Sequence, residues 1–540
     1  MGPVEVDPDS TLARSRRSFL KAGLSAGVGV AGVAFGRSAP PVRRGHPVLP
    51  ARHSSTLGVV TSEPRAPADH LSYVTRPDLT PPGVSISTGA GFAGSGLESM
   101  YLFCALKPPI AANPGPLSTP THIFPPGATQ GLMILDTSGE LVWFNPLPAA
   151  DELPFNFRVQ SYGGSPVLTW FQGTVAHGHA VAGHYVIADD TYTQVTEVYE
   201  TAYPCDLHEF ILTPEGTALH TAYEAGVPDG RGGTVIVGHA QEVDVATNEL
   251  LFDWPCYPAV SRAMSYVGRE ADYFHINSID VWPGTDRNLL ISSRNTCAVY
   301  LVDRSTKEVI WQLGGKQSDF AMQHGTRFWY QHDARALPDG SGVSLFDDAS
   351  QPCPETDASG KVLTLDQQAR TAVLRHRYQH TDGELDTPSQ GNCQLLPNAC
   401  HLVGWGYLPW FSAYGLSGDA IGAPLILDGR FPDGSSSYRT FLFDWTGNPP
   451  LSELRLVVLP TGSSGQFVAF VSWNGATEVA AWQLEAGPSL GALDTVATFP
   501  KSGFETAFSF TLAGATVFQV TALAAQGGPI GRSEPVTTPS

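Results

Sequence analysis

Four segments of the chain share a turn proline, and the residue six positions before it repeats in kind. His208 precedes Pro214, Asn277 precedes Pro283, His332 precedes Pro338 and Gly391 precedes Pro397. His275 lies two residues before Asn277, so the alternation of a strand puts both on one face. If the hairpin around Pro283 pairs symmetrically about its turn, Arg294 falls opposite His275 to within a residue of register. One histidine on a strand is usually structural. Three histidines in or beside equivalent positions, with Asn277 and Arg294 next to them, call for a chemical explanation. A neutral imidazole can act as a nucleophile and carry a covalent adduct. Arginine, imidazolium and amide donors can hold the oxygens of an anion and stabilise charge developing there. The chemistry implied is transfer of a compact tetrahedral anion, sulfuryl or phosphoryl. Asp333 directly follows His332, so on a strand it faces away from that ring. No G-x-x-x-x-G-K-[ST] loop occurs, so nucleotide use has no support.

These residues meet only if the four segments are equivalent strands of a repeating unit. The segments are "LHEFILTPEGTALHTAY", "INSIDVWPGTDRNLLISS", "QHDARALPDGSGVSLF" and "QGNCQLLPNACHLVGWG". A second motif alternates with them: "LDTSGELVWF", "VDVATNELLFDW", "VDRSTKEVIWQL" and "LDQQARTAVLRH", each an Asp, a polar turn and an apolar strand. Two hairpin types recurring every 55 to 65 residues or so predict an all-β chain with a β-propeller of about six blades over residues 86–440. The first strand of each blade then lines a central channel. A plain sandwich is the competing architecture, and it leaves the alternation unexplained. Residues 441–540 contain alternating strands with an early Trp in each of two, which predicts a fibronectin-III/Ig-like β-sandwich.

The chain has 540 residues, with 42% hydrophobic and 15% charged content, which is globular rather than disordered. A formal net charge of -20 argues against a nucleic-acid partner. "SRRSFLKAGLSAGVGVAGVAFG" sets Arg16 and Arg17 before a mild, glycine-broken apolar run, the pattern of a twin-arginine export signal. Residues 1–39 are read as that signal, 40–85 as a flexible Pro-rich segment and arm, and the mature protein as extracytoplasmic, without an integral membrane segment. Seven cysteines, at 104, 205, 256, 297, 353, 393 and 400, leave at least one thiol unpaired within the chain, and none forms C-x-x-C. His177, His179 and His184 in "AHGHAVAGHY" read as a loop at the rim. Trp329, Tyr330, Trp405 and Trp410 lie near strand ends, where most should serve blade packing.

Through "DLHEFILTPEGTAL", "FHINSIDVWPGTDRNLLISSRN", "YQHDARALPDG" and "GNCQLLPN…LVGWG", the sequence resembles the bacterial arylsulfate sulfotransferases over roughly residues 70 to 480. The resemblance implies a propeller enzyme that moves a sulfuryl group from a phenolic sulfate ester to an acceptor phenol, without a nucleotide donor, cofactor or metal. It implies that His332 is the nucleophile and becomes a transient sulfohistidine. His208, His275, Asn277 and Arg294 would then hold the sulfate oxygens and serve the phenol oxygens. The cysteine pattern and His401 have no counterpart in that set. Three other readings stand beside it: a His-ligated iron or zinc propeller enzyme, a quinone-cofactor dehydrogenase suggested by "DRSTKEVIWQLGG", and a non-catalytic binding propeller.

Overall fold

The computed structural model describes residues 67–110, 124–149, 152–267, 271–284, 286–350, 357–381, 385, 387–416, 421–462 and 465–538. The twin-arginine segment, most of the Pro-rich segment and Cys353 lie outside the described residues. What is described is all-β, with only short helical turns. Pairing is antiparallel throughout the named strands except at Ala321–Met322, which runs parallel to its neighbour.

Local chemistry explains the recurring hairpins. In the second motif, the carboxylate of Asp136 accepts hydrogen bonds from the backbone N–H groups of Ser138 and Glu140, at 2.8 and 3.0 Å. Asp244, Asp303 and Asp366 do the same for the backbone two and three residues on. Each therefore builds an Asx turn that reverses the chain between the third and fourth strands of a sheet. The proline motif reverses it between the first and second.

Among the described residues these hairpins assemble six sheets consistent with propeller blades. Their first strands are Leu153–Tyr162 (β1), Cys205–Leu212 (β2), Ile276–Val281 (β3), His332–Ala336 (β4), Asn392–Leu395 (β5) and Ser436–Phe443 (β6). Each packs beside the next, and β6 packs back against β1, so the strands form a closed ring. β6 does not start a hairpin of its own. It pairs with Tyr101–Lys107, Tyr101 opposite Phe443, and so joins the last inner strand to the first sheet of the chain. This strand runs on to Phe443, past the expected boundary at 440.

The C-terminal strands form two further sheets. One contains Leu454–Pro460, Gln466–Trp473 and Glu505–Thr511; the other is built on Ala481–Gly487 and Val517–Leu523. Between them lies a separate core that includes Trp482, Phe508 and Phe518. This unit is fixed to the ring by directional contacts. Asn474 exchanges two hydrogen bonds with the Phe144 backbone, and Tyr192 donates to the Gly475 carbonyl at 2.7 Å while stacking on Trp143. Gly475 has a φ of 100°, and a Cβ there would lie 2.3 Å from the Tyr192 ring, so both backbone and space demand glycine. Residues 67–88 are a docked arm: Thr75 and Arg76 bond Glu505 and Glu453, and Ser85–Thr88 adds an edge strand to the sixth sheet.

Candidate functional site

His208 on β2, His275 at the entry to β3 and His332 at the start of β4 line one cavity at an end of the ring. Phe155 from β1, Gln390 before β5 and Tyr438 from β6 complete much of its wall, around some 340 Å³ of open space. The rings are close: His208 to His275 is 4.7 Å between centroids, and Tyr438 lies 5.8 Å from His208 and 6.4 Å from His332. All inner strands but β5 thus deliver a side chain, and β5 is approached by Gln390. At β5 the repeat position is Gly391. Its φ is 99°, and a Cβ would meet the Phe346 ring at 2.5 Å, so no side chain fits.

Backbone strain gathers at the same place. His275, Tyr330, Asp333 and Gln390 all have φ between 52° and 76° without being glycine. Left-handed residues each cost of the order of 1–3 kcal/mol and persist where the surroundings enforce them, commonly at functional sites.

Each of the three imidazoles bonds a carboxylate through Nδ1. Nδ1 of His208 bonds Asp206, Nδ1 of His275 bonds Asp272 at 2.6 Å, and Nδ1 of His332 bonds Asp348 at 2.6 Å. Burial opposes the charge of Asp206, but the His208 and His179 imidazoles hold it down to about 2. Burial likewise opposes Asp272, yet His275 and His179 keep it well below the usual carboxylate range. Burial lowers His275 to about 4 despite the pull of Asp272. His332 is pushed well below the ordinary imidazole value, first by burial, then by Arg294 and the other two histidines. A neutral His332 facing a carboxylate through Nδ1 must carry its proton there, so Nε2 keeps the lone pair. The Gln390 N–H donates to that Nε2 at 3.3 Å.

Asn277 and Arg294 stand behind the cavity wall rather than in it. The strand pairing shifts between Ile276 and Ser278, so a bulge breaks the two-residue alternation that would have put Asn277 on the face of His275. Asn277 instead donates to the Gln331 carbonyl at 2.6 Å and accepts from Arg439 through its own carbonyl. The Arg294 backbone does lie opposite His275, its N–H donating to the His275 carbonyl at 2.9 Å. Its guanidinium turns to Asn295 and the Pro388 carbonyl and lies 4.3 Å over the Tyr330 ring.

Immediately beyond the histidines the channel is filled by charge. The buried Glu209 carboxylate bonds Arg158 of β1 at 2.8 Å, Arg335 of β4 at 2.5 Å and Arg439 of β6 at 3.2 Å. Asp333 bonds Arg335 and Arg439 in turn, so its role is in this plug and not beside His332.

Several members of the site were not singled out from sequence. His179 opens the strand His179–Ala188 instead of lying in a rim loop, and its ring lies 4.9 Å from His275. His184 sits further along that strand against Glu197. Asp206 had a readable signal, being two residues before His208 on the same strand. Asp348 had one too, because His332 pairs with Phe346 and the hairpin ends at the two aspartates beyond it. Trp405 is buried in a blade and Trp410 lies beneath Arg430, away from the cavity.

Residues 158–419 match the family model described as Arylsulfotransferase (ASST), a shorter span than the 70–480 of the motif resemblance. No curated protein matches the chain. Among solved structures, a protein of unknown function from Bacteroides caccae aligns at 10% identity over 64% of this chain and 99% of its own, with a TM-score of 0.37. Hydrazine synthase from Kuenenia stuttgartiensis aligns at 12% identity over 54% and 63%, with a TM-score of 0.23. At such low scores these likenesses decide nothing about fold or activity.

Proposed function

We propose, from the arylsulfotransferase match over residues 158–419, that this chain is an aryl sulfotransferase working without a nucleotide donor. The observation that carries the reading is the state of His332: Nδ1–H held by Asp348, Nε2 with its lone pair in a cavity walled by two further imidazoles. Nε2 attacks the sulfur of a phenolic sulfate ester. The S–O bond to the aryl group breaks, its electron pair goes to the phenol oxygen, and that oxygen takes a proton delivered by the neighbouring His208. The sulfohistidine then meets an acceptor phenol. That phenol gives its proton to the same imidazole, its oxygen takes the sulfuryl group, and His332 is restored.

Arg294 acts at one remove in this scheme. It supports the wall through Tyr330 and Pro388, and its charge adds to burial in disfavouring a protonated His332. Asn277 fixes Gln331, the residue before the nucleophile. The six sheets are read as a six-bladed propeller and the C-terminal pair as a fibronectin-III-like sandwich. The twin-arginine pattern supports export of the folded protein. An extracytoplasmic enzyme has little access to nucleotide sulfate donors, which fits transfer between phenols.

The test uses the purified, chelator-treated protein with an aryl sulfate and a phenol. Expected are aryl oxide release, sulfated acceptor, and a sulfuryl adduct on the His332 peptide after quenching. Absence of both turnover and adduct would overturn the reading.

A further inference from the structure

One cluster beside the cavity is not used by this scheme as such. The Asp272 carboxylate is shared by two imidazoles: Nε2 of His179 lies 3.0 Å and Nδ1 of His275 lies 2.6 Å from the same oxygen, Oδ2. The three ligand atoms all fall within 4.8 Å of one another. In a tetrahedral zinc site with bonds of about 2.0–2.2 Å, neighbouring ligand atoms stand roughly 3.3 Å apart, so small movements would seat an ion. A second observation points the same way. Oδ1 of Asp272 is buried and has no hydrogen-bond partner among the described residues. A buried carboxylate oxygen without a donor is costly, and an ion bound by both oxygens of Asp272 would satisfy it.

We propose that His179, Asp272 and His275 form a binding site for one divalent transition-metal ion of borderline softness, such as Zn²⁺. Two imidazoles and a carboxylate, without a thiolate, are the donor set of such an ion. The arginines do not oppose it, because Arg294 is engaged behind His332 and Arg158, Arg335 and Arg439 are consumed by Glu209 and Asp333. The chain folds so that His179 comes from a strand of the second sheet and His275 from the entry to β3, which brings the two within reach of one ion. Three protein ligands leave a fourth position for a water or an anion. The site does not depend on sulfuryl transfer. If that reading also holds, zinc inhibits it by occupying His275.

The experiment is titration of the full, chelator-treated chain with Zn²⁺ by calorimetry and with Co²⁺ by visible absorption. Expected are one ion per chain and the intense absorption of low-coordinate Co²⁺. His179→Gln and Asp272→Asn should each weaken binding by at least ~10-fold. His184→Gln, on the same strand as His179 but facing Glu197, should bind as the parent does. No saturable binding, or affinity unchanged in His179→Gln, would overturn the site. Thermal melts report folding of each variant, and if Asp272→Asn does not fold, His179→Gln alone decides. Binding is read without turnover, so a parent that binds zinc but transfers no sulfuryl group separates the two proposals.

Discussion

The two halves of the central channel are made from neighbouring residues of the same strands, yet they behave oppositely. His208 precedes Glu209 on β2, His332 precedes Asp333 on β4, and Tyr438 precedes Arg439 on β6. The first of each pair lines the histidine cavity, and the second enters a plug of charge whose other side, at Asp333, Arg335 and Arg158, borders a second opening. In the plug every ion meets two or more counter-ions or carbonyls. In the cavity each imidazole meets one carboxylate, through Nδ1. A carboxylate on one ring nitrogen orients the histidine, and the other faces the cavity, where in His332 it meets the Gln390 N–H at 3.3 Å. The alternation of a strand is therefore enough to set a rigid floor directly beneath a reactive wall.

The most severe test of this contrast is removal of the one nucleophile proposed for the cavity. His332→Ala should lower turnover by on the order of 10⁴-fold or more while the melt stays near that of the parent, as assayed with an aryl sulfate and a phenol. A loss confined to KM would assign His332 to binding alone. Asp348→Asn comes next. The amide no longer demands the proton on Nδ1, so the tautomer with Nε2 free is lost, and a fall in kcat of about 10²–10⁴-fold is expected with KM little changed. Equal kcat in the two proteins would mean that the Tyr330 carbonyl, 3.0 Å from Nδ1, is sufficient to hold the ring.

How much of this was open to a reader of the sequence depended on distance along the chain. The Asx turns and proline turns are local, and they gave the strands, the all-β class and the placing of His208, Asn277 and His332 in equivalent positions with His275 beside them. Asn277 was misjudged because a bulge resets alternation without any mark in composition. Arg294 was legible in register but not in direction, since its side chain follows Tyr330 and Pro388 from other segments. His179 and Tyr438 reach the cavity only through the assembled ring. β6 has no proline turn of its own and closes on a strand more than three hundred residues earlier in the chain, which no periodicity announces.

The plug should answer a charge change in stability rather than in chemistry. Glu209→Gln keeps the shape but leaves Arg158, Arg335 and Arg439 without their shared counter-ion, in a largely buried place. A loss of about 3–5 kcal/mol is expected in denaturant melts. Residual activity per folded molecule should change much less than in His332→Ala, and the reverse ranking would dissolve the distinction between floor and wall.

The smallest effect expected is in the acid limb of stability. Burial opposes the Glu209 charge, but Arg335, Arg439 and Arg158 hold its carboxyl down to about 2 in the folded chain. An unfolded Glu titrates near ~4.3. The folded value is the lower one, so the contribution is complete above the unfolded value and is lost as pH falls towards about 2. Between those limits the unfolded chain binds more protons and stability drops with acid. The Glu209→Gln protein lacks this group, so its melting temperature should fall less steeply than the parent's over that interval. Parallel curves would show that Asp333 does most of the neutralising in this plug, and that Glu209 is held by packing rather than by charge.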